Sequence, residues 1–183
     1  MRLKCTILIR YSPTVQVYEV PGDLTVSGTW DVELGKSLVI FVPGTLTINE
    51  LAANTKFIIR EGGFLAFIVR GGTNNSGGII VNETVGQSPL NYVTSSNVDR
   101  VLGTKLAGIL ITDRTLTTVA STGQDNQLVA AGTFVAETFV LNRNLGIDNL
   151  TNPGELFVYR PDLWKNAPEE LKEIKLNWQE VAP

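Results

Sequence analysis

Carboxylates are the only side chains here whose spacing suggests catalysis. Asp31 and Glu33 stand two residues apart in the alternating segment Thr29-Trp30-Asp31-Val32-Glu33-Leu34. On a strand, that spacing turns both to one side, within reach of a shared cation or a sugar. Glycosidic cleavage by general acid–base chemistry uses two carboxylates roughly 5–9 Å apart, a separation one strand can provide. Polysaccharide-acting enzymes built on β-helices add further acidic, basic and aromatic groups along a groove of many coils. Without that surround, a solvated face is the first reading of Asp31 and Glu33, and no catalytic residue is assigned.

Other chemistries fall away by residue type. The chain contains no histidine, which removes imidazole acid–base catalysis, Ser-His-Asp and Cys-His arrangements, and the usual zinc sites. Cys5 is the single cysteine, so neither an internal disulfide nor a thiolate cluster can form; it reads as an edge-strand core residue or a free thiol. The glycine-rich stretch from Gly71 to Gly78 lacks the lysine of a phosphate-binding loop and reads as a polar surface loop. Asp99, Asp113, Asp125 and Asp148 are each isolated in turns, and no calcium loop of the EF-hand type is present. No cofactor or metal is expected.

Trp30, with Tyr11, Tyr18 and Tyr92 elsewhere, raises a glycan platform as a second possibility. A core or corner position is the first reading for Trp30. The binding candidates are therefore Trp30, Tyr92, Asp31 and Glu33. Threonines recur at Thr25, Thr45, Thr47, Thr112, Thr115, Thr117 and Thr133. Their spacing is too irregular for a water-ordering face, and threonine also simply favours strands. Asn74, Asn82 and Asn149 each begin a glycosylation acceptor triplet, a weak signal in an Asn- and Thr-rich chain.

Bulk properties narrow the partners. Fifteen basic and eighteen acidic residues give a formal charge of −3 with no dense basic cluster, so no nucleic-acid partner is expected. Charged residues make up 18% of the 183 residues, below the roughly 25% of ordinary soluble domains. That fits a β-rich body with Thr, Asn and Ser on its surface. No apolar run reaches the roughly 18–20 residues that span a bilayer, so no membrane-spanning segment is expected. Residues 1–10 are too short and too interrupted by charge for a signal peptide.

The elements that must position these residues are organised around a repeat. Gly22-Asp23-Leu24-Thr25-Val26-Ser27 and Gly44-Thr45-Leu46-Thr47-Ile48-Asn49 start 22 residues apart, each after a Pro-Gly turn. In both, two apolar residues alternate with threonine, the pattern of a short strand. A repeat of this length, built from strands and turns, predicts a coil that wraps and stacks on its neighbour. Further strands are expected over 3–9, 14–20, 29–34, 37–42, 56–60, 64–70, 79–82, 108–113, 115–119, 127–130, 132–136, 138–141 and 154–160.

The predicted fold is all-β, a single-domain β-solenoid (a parallel β-helix, right-handed). Residues 1–21 supply N-terminal strands or a cap, 22–160 the solenoid with a loop insertion around 83–101, and 161–183 a short C-terminal helical cap or docking segment. In that last part Asn166 is the expected N-cap and Glu169 the third helical position. Leu171, Ile174 and Trp178 recur at helical spacing, a stripe suited to covering the open end of the coil. The alternative has Trp164 and Trp178 docking onto another subunit.

The phrases GDLTVSG, GTLTINE and FLAFIVRGG resemble those of bacterial envelope and pilus-associated β-solenoid proteins of the minor-pilin accessory type, and more distantly the filament-forming bactofilins. The ending PGELFVYRPDLWKNAPEELKEIKLNWQEVAP is similar to the tail of an uncharacterised family of bacterial surface proteins. The resemblance implies an extracellular or cell-surface protein, anchored through an N-terminal segment outside this sequence, and it carries no catalytic residues. A non-enzymatic structural or assembly role in the envelope or a pilus-like apparatus is the leading expectation, with other envelope or pilus proteins or further copies of the chain as partners. A glycan or surface-polymer binding module is the alternative, and a polysaccharide-acting enzyme a more distant one. A cytoplasmic filament is the variant of the structural reading.

Overall fold

The two copies of the glycine-led phrase lie side by side as parallel strands. Leu24 faces Leu46, Thr25 faces Thr47 and Val26 faces Ile48, so an offset of 22 residues in the sequence becomes a single strand spacing, about 4.8 Å, in the sheet. The computed structural model describes residues 7–11, 14–49, 56–71, 77–87, 92 and 106–172. About half of these are in strands, and the helices among them are short, which makes the fold all-β.

After β1 (Ile7–Tyr11), strands β2 (Val15–Glu19), β3 (Leu24–Val26) and β4 (Thr29–Val32) enter three different sheets. Then β5 (Ser37–Val42), β6 (Thr45–Ile48) and β7 (Lys56–Ile59) return to the same three sheets in the same order, each parallel to its predecessor. The first two sheets continue through β8 (Phe64–Val69) and β9 (Gly78–Val81), β10 (Leu106–Thr112) and β11 (Thr115–Thr118), and β12 (Leu128–Val135) and β13 (Thr138–Leu141). The last strand, β14 (Glu155–Tyr159), joins the first sheet. Among the described residues the sheets have seven, five and two strands. Among the named strands only β1 runs antiparallel to its neighbour, β2.

Side chains alternate between the two faces of each strand, so a constant register stacks like positions into columns. Leu24, Leu46, Ile79, Leu116 and Phe139 form one interior column, and Val26, Ile48, Val81, Thr118 and Leu141 another. Trp30 of β4, Phe57 of β7 and Phe67 of β8 form an aromatic cluster with ring centroids 5.7, 5.8 and 5.9 Å apart. Such pairs add attraction beyond the burial of their surface. The threonines of the phrases point the other way, which accounts for their recurrence without a ligand.

The two strands expected over 127–130 and 132–136 are one, continuous from Leu128 to Val135. Gly132 is the register partner of Gly108 in β10. A Cβ on Gly132 would run into the Gly108 carbonyl, and Gly108 itself has φ of 141°. Glycine here permits two strands to approach closely instead of marking a turn.

The C-terminal part differs from expectation. Pro161 ends β14 but also opens a helix, α1 (Pro161–Lys165), at the first helical position, where a missing N–H leaves no bond unmade. Asn166 follows as the C-cap of α1, its N–H donating to the Asp162 carbonyl at 3.0 Å, and so does not N-cap the next helix. That helix, α2 (Glu169–Lys172), carries Glu169 and Glu170 in its first turn, where the helix dipole favours them. Of the insertion expected over 83–101, residues 83–87 and 92 are described; the remainder lies outside the described residues. Among the described residues no helix is long and apolar enough to cross a membrane.

Candidate functional site

Trp30 belongs to the core. It is 9% exposed, packs against Phe57 and Phe67, and donates its indole N–H to the Ser27 carbonyl at 3.3 Å. No ring face is left for a sugar, so Trp30 is not a glycan platform. Its neighbour Asp31 points outward to Arg60 of the next strand's end, which donates through Nε at 2.9 Å and through a terminal nitrogen at 2.6 Å. That fork holds the Asp31 carboxyl below its ordinary value, the hydrogen bonds contributing most. Glu33 is exposed on the same side and adds to the field at Arg60. The arrangement is a solvated ion pair, with the cation satisfied by the first carboxylate.

Tyr92 is half-buried, and its hydroxyl accepts from Gln124 Nε2 at 3.1 Å. Burial pushes its pKa up. Gln124 also donates to the Leu145 carbonyl and to Asp148. Trp30, Asp31 and Glu33 follow one another on β4 and its end, while Tyr92 joins a separate polar region. The structure therefore does not gather the four candidates into one site.

That polar region replaces a ladder. The third sheet ends with β4 and β7, and the corresponding stretches after β9, β11 and β13 are tied together by side chains. Arg143, 7% exposed, donates to the carbonyls of Asn82, Glu83 and Asn126. Burial lowers its pKa against the pull of Asp125, Glu155 and Glu83. Asp125 accepts from the N–H groups of Ser121 and Asn144, each at 2.7 Å, and Gln127 donates to the Pro153 carbonyl. Glu155 accepts from the Thr118 hydroxyl at 2.6 Å and from the Arg143 N–H at 2.9 Å. This satisfies the one hydroxyl in an otherwise apolar interior column. Spacing arguments missed this network because a lone arginine among Asn and Asp residues has no period; the polar density of 142–152 was the available signal. Of the isolated aspartates, Asp113 accepts from the Gly71 N–H and Asp148 from Gln124; Asp99 lies outside the described residues. Among the described residues no cluster of His, Cys, Asp and Glu could hold a metal ion.

The surface feature that stands apart is the end of the stack. Phe139 and Leu141 continue the two interior columns, yet they are 43% and 47% exposed. Tyr159 of β14 is 66% exposed, and Phe157 packs edge-on to Phe134 at 5.1 Å and to Phe139 at 6.5 Å. Together they line an open cavity of about 460 Å³. No further described strand pairs with the outer edge of β13 or of β14. An apolar floor beside two open strand edges is the pattern of a docking surface.

The C-terminal helices do not cover that cavity. They lie on the face of the seven-stranded sheet opposite Phe67, where Leu163 and Ala167 are buried and Trp164 donates to the Thr133 hydroxyl at 3.0 Å. Leu171 packs there beside Phe64, Ile68 and Ile111. Residues Ile174 and Trp178 lie outside the described residues. The described part of the segment expected to cap an end thus runs along the face of the seven-stranded sheet.

Compared with known proteins, the chain matches no family model, no curated protein and no solved structure.

Proposed function

We propose that this chain is a β-solenoid serving as a non-enzymatic structural or assembly component of a bacterial envelope or pilus-like surface apparatus, and that it docks through its C-terminal end. The cyclic return of successive strands to the same sheets supports the coil reading. The single observation that carries the function is the aromatic and aliphatic cavity between β13 and β14, which the described residues leave uncovered.

The partner is a different chain that supplies a strand beside β13. At the C-terminal end, β14 extends one strand beyond the five-stranded sheet; at the other end, β1 extends one strand beyond β3. Two copies stacked head to tail would leave a gap two strands deep beside that sheet. A donated strand with apolar residues at alternate positions would instead extend the Phe139 and Leu141 columns.

An epitope-tagged chain expressed in its source cell tests the reading. It is expected to fractionate with the envelope, and a Phe139→Asp/Leu141→Asp variant, folded by circular dichroism, to be released. A parent chain found wholly in the cytosol would overturn it.

A further inference from the structure

We propose that the docking surface runs beyond the cavity to Ile147 and Leu150, which seat in an apolar pocket of the same partner chain, rimmed by Lys or Arg. The inference rests on the docking role proposed above and adds to it a second contact and the sign of the partner's charge.

The exposed apolar surface is unevenly distributed. Among the described residues, every exposed large apolar side chain except Leu34 lies between Val135 and Trp164. Ile147 and Leu150 are the barest of them, at 81% and 84%. Both sit in one 3-10 turn, Gly146–Leu150, and a separation of three residues places them on the same edge of such a turn. Leu145, just before the turn, is fully buried, so the loop is anchored without them. A single bare aliphatic is ordinary on a protein surface; two on one edge mark a contact.

The turn belongs to the same end of the molecule as the cavity. Residues 142–154 connect β13 to β14 and lie on the 121–127 segment. Asn144 and Asp125 bond to each other in both directions there, and Gln127 donates to the Pro153 carbonyl. That segment lies in turn on 82–87, through Asn126 and Gln127. Among the described residues 142–154 is thus the last layer of its side, as β13 is the last strand of its sheet. A partner strand laid parallel to β13 leads its chain onto 142–154, the path this chain itself takes. Size requires the second contact. β13 is four residues long, and a strand beside it covers far less than the roughly 800 Å² per partner of a stable interface.

The turn is held in place before any partner arrives. Asn149 accepts from the Leu145 N–H at 3.1 Å and donates to Asn144 Oδ1 at 2.9 Å, while Gln124 donates to the Leu145 carbonyl and to Asp148. A contact set in advance loses little freedom on docking. Charge then decides the kind of partner. Glu137 and Asp148 belong to this end, and among the described residues no cation pairs with either. An anionic lipid surface is repelled there, whereas a protein with Lys or Arg around its pocket is drawn in.

The test uses the full chain in its source cell, with Phe139 or Leu150 replaced by photoreactive benzoylphenylalanine. Irradiation is expected to give adducts at both positions with one and the same partner chain. Ile147→Ser, or Glu137→Lys, should cut the yield at 139 several-fold. The thermal midpoint should not move, because both side chains are exposed. An adduct at 139 with none at 150 would overturn the proposal and leave the docking role intact. So would a different partner, a second copy of this chain or a lipid at 150, or yields indifferent to the two variants. No adduct at either position would overturn the docking role as well.

Discussion

Phe139 stands beside Leu116 in the register of two parallel strands, yet Leu116 is 1% exposed and Phe139 is 43% exposed. The two occupy the same interior column, and what separates them is the neighbour above. Leu116 has β9 on one side and β13 on the other, whereas among the described residues Phe139 has a strand on one side only. Position in the stack decides what each side chain contributes. Leu116→Ala opens a cavity in a closed layer and is expected to cost about 2–5 kcal/mol. Phe139→Ala at the open end is expected to cost under about 1 kcal/mol in the isolated chain, as for surface positions. Urea unfolding midpoints of the two variants check this, and equal losses would mean that the end is covered.

Gly108 and Gly132 set a second expectation. Because a Cβ on Gly132 meets backbone, which no rotamer change relieves, Gly132→Ala must push β10 and β12 apart. A cost of about 1–3 kcal/mol is expected, the range for overpacked interiors. Gly146→Ala is the contrasting case: its φ of 62° is strained for alanine, but nothing lies within 4 Å of the added atom. Thermal unfolding of both variants separates collision from backbone strain.

The fold was legible where local pattern and register agree. The phrase at 22–27 and its copy at 44–49 pair residue for residue because period-two alternation fixes which face is inward, and a slip of one would expose every leucine. The helix at Pro161 was hidden because proline both terminates strands and begins helices, and only the residues after it decide. The gap expected at Ala131 does not appear because the glycine beside it lets β10 and β12 approach within one continuous strand. Among candidate residues, Trp30 read correctly as core and Asp31 and Glu33 as a solvated face. The C-terminal cavity had no sequence signature: Phe139 and Leu141 look like any interior pair, and they are exposed because no strand among the described residues follows β13 in its sheet.

Arg143 gives the third prediction. Its guanidinium holds three carbonyls from segments with no ladder between them, with Asp125 and Glu155 supplying opposite charge nearby. Arg143→Met is expected to cost about 3–5 kcal/mol, because it leaves carboxylates and carbonyls without their cation. Arg143→Lys should recover only part of this, since an ammonium cannot reproduce the planar fork. Hydrogen exchange should report the loss at Asn126 and Gln127, beside the Gln87–Gln127 bridge. Equal stability of all three chains would refute the clamp.

Asp125 sets the acid limit of the same network. Burial pushes its carboxyl up, but the backbone N–H of Asn144, the Ser121 bonds and the Arg143 charge together outweigh that and hold it below the ordinary value. A carboxyl whose folded pKa is depressed binds fewer protons in the folded state than in the unfolded one. Its stabilisation is therefore fully present above the unfolded pKa, about 3.9, and is lost as pH falls through the lower folded value. Asp125→Asn should lower stability at neutral pH and flatten the acid limb of the stability curve below about pH 4. Asp31 titrates in the same direction, through an exposed pair with Arg60. Salt distinguishes the two, because screening weakens exposed pairs far more than buried ones. Urea titrations from neutral to acid pH, with and without added salt, should show a slope change in Asp125→Asn that salt leaves in place. For Asp31→Asn, the change should shrink as salt is added.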